Sequence, residues 1–215
     1  LTTNPWLTIP LDDYEGHMDL PQVGQLAFLR QTLKTALQQR QPASLLYLGA
    51  ASGNGLEAVD PEVTRRVMAV DINPDYLQAA RNRYAASLPQ LQTLAVDLQG
   101  DTSSLQGQYD LIFAGLLFEY LPPADLLEKV VTWLSPSGRL LVVLQEENPE
   151  LAEVSPSPFT CLQHLGSIMQ LVPEAEFAEL AKKAGLRELQ GEKKTLDSGK
   201  CFYIGQWGRA ENIQN

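Results

Sequence analysis

Four apolar or aromatic residues, Leu45-Leu46-Tyr47-Leu48, run straight into Gly49-Ala50-Ala51-Ser52-Gly53-Asn54-Gly55. A short unbroken apolar run reads as a buried strand, and the loop that ends it carries three glycines separated by small residues. Glycine permits positive φ and keeps side chains away from anything that rests on the backbone. A helix expected from about Leu56 would point free N–H groups at the same place. The stretch therefore predicts a ligand cradle at a strand end, although a turn of this composition also serves packing alone.

The rest of the chain repeats one rhythm. Residues 66–71, 91–97, 109–115 and 139–145 are apolar enough for further strands. The helices predicted between them cover 75–88 and 123–134, with one more over 174–184. Two last strands are expected at 186–192 and 201–206, joined by a polar segment. A helix is expected over 21–39, a short one over 161–171, and an irregular arm through Leu20. Strands alternating with helices imply right-handed crossovers, and the expected fold is α/β. In full it is Rossmann-like and doubly wound: a mostly parallel seven-stranded sheet with helices on both faces and a C-terminal antiparallel strand.

The 215 residues suffice for one domain of this kind. With 26 acidic against 16 basic residues the net charge is −10, and the basic residues are scattered. No face gathers the positive potential that a nucleic acid or an anionic membrane requires, so a small-molecule partner is expected. Cys161 and Cys201 lie far apart, there is no metal-ligand spacing and no long apolar run, and a cytoplasmic protein without a metal is expected.

A doubly wound sheet brings its ligand to the carboxyl ends of the strands. The Gly-rich turn, Asp71, Asp97 and Ala114-Gly115 would meet on that rim. Asp71 follows the turn by one βαβ unit, the spacing at which a carboxylate accepts from ribose hydroxyls. Each has a plainer reading: Asp71 as the cap of the helix after Pro74, Asp97 as a solvated strand end. The same elements also serve dinucleotides, so a nicotinamide-dependent oxidoreductase stands as an alternative, although Ala51 and Asn54 occupy two glycine positions of Gly-x-Gly-x-x-Gly.

Taken together, Leu48-Gly-Ala-Ala-Ser-Gly-Asn-Gly55, Ala69-Val-Asp-Ile-Asn-Pro-Asp-Tyr-Leu77, Ala95-Val-Asp-Leu98, the segment Tyr109–Leu121 and Leu134-Ser-Pro-Ser-Gly-Arg-Leu-Leu-Val-Val-Leu144 resemble the class I S-adenosylmethionine-dependent methyltransferases. The resemblance covers 44–145 strongly. It implies an enzyme that uses S-adenosylmethionine, of the methyltransferase class EC 2.1.1, or a relative that binds the cofactor without turnover. Gly49, Ala51, Gly53 and Gly55 would border the methionine part, Asp71 the ribose, Ile72 and Leu98 the adenine, Asp97 the adenine amino group, and Ala114 or Gly115 the sulfonium. Two positions depart from the family pattern: Tyr47 stands where an acidic residue is common, and Ala51 replaces the middle glycine, which fits if its φ is negative.

The acceptor side is expected to come from three places: Tyr14-Glu-Gly-His17-Met18 in the arm, Glu119 and Tyr120 after the fourth strand, and the segment ending at His164. His17, Glu119 and His164 are candidate bases or acceptor contacts, and Tyr14, Met18 and Tyr120 candidate substrate contacts. The expected organisation is a single domain over 1–215, with 1–40 capping the site and 146–173 forming a substrate lid. An Asn/Asp-Pro-Pro-aromatic signature is absent after the fourth strand. Adenine and glutamine side chains are therefore disfavoured as acceptors, and oxygen, nitrogen and carbon nucleophiles stay open. Oligomeric state does not follow from the sequence.

Overall fold

A computed structural model describes residues 4–210. The strands are β1 (Ser44–Leu48), β2 (Arg66–Asp71), β3 (Leu91–Ala95), β4 (Tyr109–Gly115), β5 (Leu134–Gln145), β6 (Leu186–Thr195) and β7 (Cys201–Arg209), and the helices α1 (Leu11–Asp19), α2 (Gln25–Arg40), α3 (Pro74–Tyr84), α4 (Pro123–Trp133) and α5 (Glu174–Lys183). They form one seven-stranded sheet of order β3-β2-β1-β4-β5-β7-β6. The pairings among β1 to β5 are parallel, while β7 runs antiparallel to both β5 and β6.

Alternation along the strands explains why they read as continuous apolar runs. Leu45, Tyr47, Val67, Leu111 and Phe113 point to one face, where α2 and α3 supply Leu29, Leu33, Leu37, Leu77 and Tyr84. Leu46, Leu48, Val70, Ile112 and Val142 point to the other, where α4 and α5 supply Leu127, Val130, Phe177 and Ala181. Both faces are covered, which leaves no polar side to the central strands. Each leucine so buried contributes about 1.5–3 kcal/mol.

The structure corrects the expectation in four places. The arm is not irregular: residues 5–7 make a 3-10 turn and α1 follows, with Asp12 and Asp13 in its first turn, where the helix dipole favours them. Gly16, which hides this helix from a propensity reading, lies where a Cβ would come within 2.6 Å of the Phe159 ring. The helix expected from Leu56 is only a 3-10 turn over Leu56–Ala58, because Pro61 follows too closely for a second turn. The expected 161–171 helix is a 3-10 run over Thr160–Ser167. Finally, β3 ends at Ala95, so Asp97 lies two residues past the strand, and β5 begins at Leu134 directly after α4.

Candidate active site

The Gly-rich turn is wound by left-handed residues at every second position: Gly49 (φ 64°), Ala51 (45°), Gly53 (82°) and Gly55 (94°). Ala51 thus departs from the negative φ that would suit an alanine, and it holds the left-handed conformation at a cost of about 1–2 kcal/mol. Gly49 needs both its freedom and its size, since a Cβ there would lie 2.9 Å from Leu117 Cδ1. The turn does not offer a fan of free N–H groups. Ala50 N–H donates to Val70 O (3.0 Å), Gly53 N–H to Ala50 O (2.7 Å), Gly55 N–H to Glu57 Oε2 (3.0 Å) and Ala51 N–H to Asp71 Oδ2 (2.8 Å).

Side chains from below and beside lock this coil. Tyr47, buried against Phe113, donates to Asn54 O at 3.1 Å. Tyr47 therefore fastens the turn instead of facing the cleft. Tyr84 donates to Gly53 O at 2.8 Å. Glu15 of α1 accepts from Ser52 Oγ and from both terminal nitrogens of Arg83 (2.8 and 2.9 Å), which ties the N-terminal helix to the turn.

Asp71 sits at the end of β2 with 9% of its surface exposed. Burial raises its pKa, opposed by the N–H groups of Asn73 and Ala51 that its carboxylate accepts from at 2.9 and 2.8 Å. It is not the cap of α3. That role belongs to Asn73, whose Oδ1 accepts from Asp75 N–H at 2.9 Å. Asn73 Nδ2 also donates to Trp6 O (2.9 Å) and the Tyr76 hydroxyl to Ile9 O (2.8 Å), so the N-terminal segment is tied down across the rim.

These elements enclose a cleft of about 720 Å³ at the strand ends. Gly49, Ala51, Asp71, Ile72, Asp97, Leu98 and Gly115 all line it. Asp97 is exposed and accepts from Gln99 N–H at 2.9 Å. Three of the expected cofactor residues stand elsewhere. Ala114 is fully buried in the core, and its neighbour Leu116 (φ 55°) borders the cleft together with Gly115. Gly53 and Gly55 lie behind the cleft, against Tyr84 and α2, where they shape the turn without facing the opening.

A second chamber of about 480 Å³ adjoins the cleft and shares Trp6, Tyr14, Leu116 and Tyr120 with it. Trp6 stands edge-on to Tyr14 (5.6 Å between rings, 83°) and to Tyr120 (5.0 Å, 88°), forming an aromatic neck. His17 and Met18 of α1 line the chamber, as do Gln25, Gln145, Leu162 and Lys200. His17 is 6% exposed and its Nδ1 has no hydrogen-bond partner. Burial, and secondarily the charge of Lys200, lower its pKa, which keeps the imidazole neutral at pH 7.

Two of the three expected acid–base groups lie outside both cavities. His164 is exposed on the 3-10 run. Glu119 is buried beside the chamber, with Oε1 accepting from Gln145 N–H at 2.8 Å and Oε2 unpartnered, and burial pushes its pKa up to about 7. It holds the end of β5 and does not face the opening. Sequence reasoning passed over Trp6, Gln25, Gln145 and Lys200. Lys200 had no signal of its own, being one charge at the end of a polar connection.

The comparisons with known proteins bear on the same region. Residues 45–138, from β1 through the Gly-rich turn, Asp71 and Asp97 to the start of β5, match the family model described as a methyltransferase domain. Over these residues the chain is similar to a methyltransferase domain. The match separates the two readings that the turn left open and favours methyl transfer over hydride transfer. No curated protein matches the sequence.

Among solved structures, the domain's fold is similar to that of magnesium protoporphyrin IX methyltransferase from Synechocystis PCC 6803 with bound S-adenosylhomocysteine. The TM-score is 0.71 at 13% identity, over 95% of this chain and 96% of that one. It is similar to the N-methyltransferase NodS of Bradyrhizobium japonicum WM9 in complex with S-adenosylhomocysteine (0.70, 19%, 97% and 100%). A TehB-like S-adenosylmethionine-dependent methyltransferase from Corynebacterium glutamicum also shares the fold (0.62, 17%, 93% and 97%). Among the described residues no helix is long and apolar enough to cross a membrane.

Proposed function

We propose that the methyltransferase domain uses S-adenosylmethionine and methylates a small-molecule acceptor. The observation that carries this is the pair of adjoining cavities: a rim cleft with a buried carboxylate, meeting at an aromatic neck a second, mostly apolar chamber. The cleft fits the cofactor. Gly49 and Ala51 bring no side chain larger than a methyl group into it, and Asp71 keeps lone pairs beyond those it uses on backbone N–H groups.

Gly49 and Ala51 would then border the methionine part, Asp71 and Ile72 the ribose and adenine, Asp97 and Leu98 the adenine edge, and Gly115 with Leu116 the sulfonium. Bound there, the cofactor supplies an electrophilic methyl group. The chain's own task is to exclude water, align the acceptor and, where the acceptor is protonated, take its proton. Trp6, Tyr14 and Tyr120 present aromatic surface at the neck, which suits a cation. His17, neutral and unpartnered, is placed to accept a proton from a group in the chamber.

Two neighbouring structures described as complexes with S-adenosylhomocysteine support the cofactor, and the porphyrin substrate named for one supports a small-molecule acceptor. The net charge of −10 supports a reading without nucleic acid. Both cysteines are free thiols, which supports the reducing cytoplasm as compartment. Residues 1–40 and 146–173 act in this reading as the two covers of one domain. Calorimetry with S-adenosylhomocysteine, with NADH as control, tests the proposal: micromolar binding of the first is expected, and no binding at millimolar ligand, or binding of NADH instead, overturns it.

A further inference from the structure

Lys200, just ahead of β7, is 4% exposed and lines the second chamber. Its ammonium donates to Gln145 Oε1 at 3.3 Å and to Glu153 O, two neutral acceptors for three N–H donors. Among the described residues no carboxylate lies within ion-pair distance of it. Glu153, exposed and itself lining the chamber, pulls on the lysine without offsetting burial, which lowers it to about 8. At pH 7 the cationic form still predominates. A buried charge whose acidic neighbour lies beyond ion-pair distance is costly, and the cost is relieved when an anion is taken up beside it.

Two more polar side chains turn the same chamber into a built site. His17 and Gln25 are each 6% exposed, both line it, and neither side chain has a hydrogen-bond partner among the described residues. Opposite them the wall is apolar, with Met18, Leu162, Leu165 and Met169. The lining also holds Gln145, Ser155 and the exposed Glu153, but Lys200 is its one cation and the one charged group that is buried, and with the apolar wall it selects a small molecule with a single carboxylate and a hydrocarbon body. We propose that the acceptor is a carboxylic acid, held by its carboxylate on Lys200 Nζ with Gln25 and His17 beside it, its body reaching toward the aromatic neck. The identity of the chamber as the acceptor side rests on the methyl-transfer reading; the anion site itself does not.

Matched acids and primary amides, from hexanoate and benzoate to 3-phenylpropionate, test this by saturation-transfer NMR and calorimetry, with and without saturating S-adenosylhomocysteine. At least one acid is expected to bind about tenfold or more tighter than its amide. In Lys200→Met that ratio is expected to fall to about one, while affinity for S-adenosylhomocysteine is kept. If thermal melting shows Lys200→Met to be unfolded, Lys200→Gln, which retains a polar link to Gln145, is expected to give the same collapse. Amides binding as well as acids, an acid preference that survives both substitutions, or no acid binding at millimolar concentration overturns the proposal. Failure of S-adenosylhomocysteine to bind strikes the methyl-transfer reading, and the acid series without it still decides the anion site.

Discussion

The cleft and the chamber share four residues and are built in opposite ways. The cleft is made where successive parallel strands end, at 49–51, 71–72, 96–98 and 115–117, and much of its wall is backbone held by backbone. The chamber gathers side chains from α1, the start of α2, the end of β5, the 160–167 run and the residue before β7, positions that span from Trp6 to Lys200. A wall of strand ends inherits its geometry from the sheet. A wall of side chains depends on how separate elements dock, and it can be altered one residue at a time. The difference teaches where change is easiest: the cleft follows from the sheet, and the chamber follows from the side chains that dock around it.

If the two regions are separable, Asp71→Ala should cost S-adenosylhomocysteine affinity about 1.5–3 kcal/mol, the contribution of hydrogen bonds to a charged group, and leave acid binding in the chamber unchanged. Equal losses at both sites in calorimetry would break the comparison. Next in size comes the chamber's supporting wall. Glu119 titrates at about 7 in the folded protein against 4.5 unfolded, so the folded state binds more protons between those values and stability falls as pH rises through them. Glu119→Gln should remove that decline and exceed wild type at pH 8 by on the order of 1–2 kcal/mol in urea denaturation; an unchanged pH profile would show that the carboxyl is not buried as described.

A smaller effect is expected in the turn. Ala51→Gly relieves a left-handed alanine, partly offset by the greater freedom of glycine in the unfolded chain, and should stabilise by about 0.5–1 kcal/mol. A loss of stability would mean that the methyl group packs usefully. The smallest effect falls on the strut between the regions. Burial would raise the pKa of Glu15, but hydrogen bonds from Arg83 and Ser52 outweigh it and hold the carboxyl below its usual range. Its contribution is therefore present above the unfolded carboxylate pKa and lost on acidification. Because Arg83 is 42% exposed, Glu15→Gln should cost only about 0.2–0.5 kcal/mol, seen as faster hydrogen exchange in α1.

The sheet was legible because burial on both faces leaves unbroken apolar runs, and runs such as 109–115 can be little else. The rim residues Gly49, Asp71 and Leu98 were legible for a related reason: a parallel sheet orders its strand ends along the chain, so their positions follow once the strands are known. The shortening after Gly55 was legible in Pro61; the left-handed Ala51 and the helix α1 were not, since a coil wound at every second residue and the approach of Phe159 to Gly16 appear only in the folded chain. Tyr47 belongs with these, for its role as a fastener appears only when Asn54 is folded over it.

By itself, then, the sequence determined the α/β architecture and the place of the cleft, through local periodicity and strand order. Only the tertiary structure decided which side chains share the chamber. Lys200, His17 and Gln25 have no spacing relation along the chain, and their common burial exists only once β7, α1 and α2 are docked on one sheet.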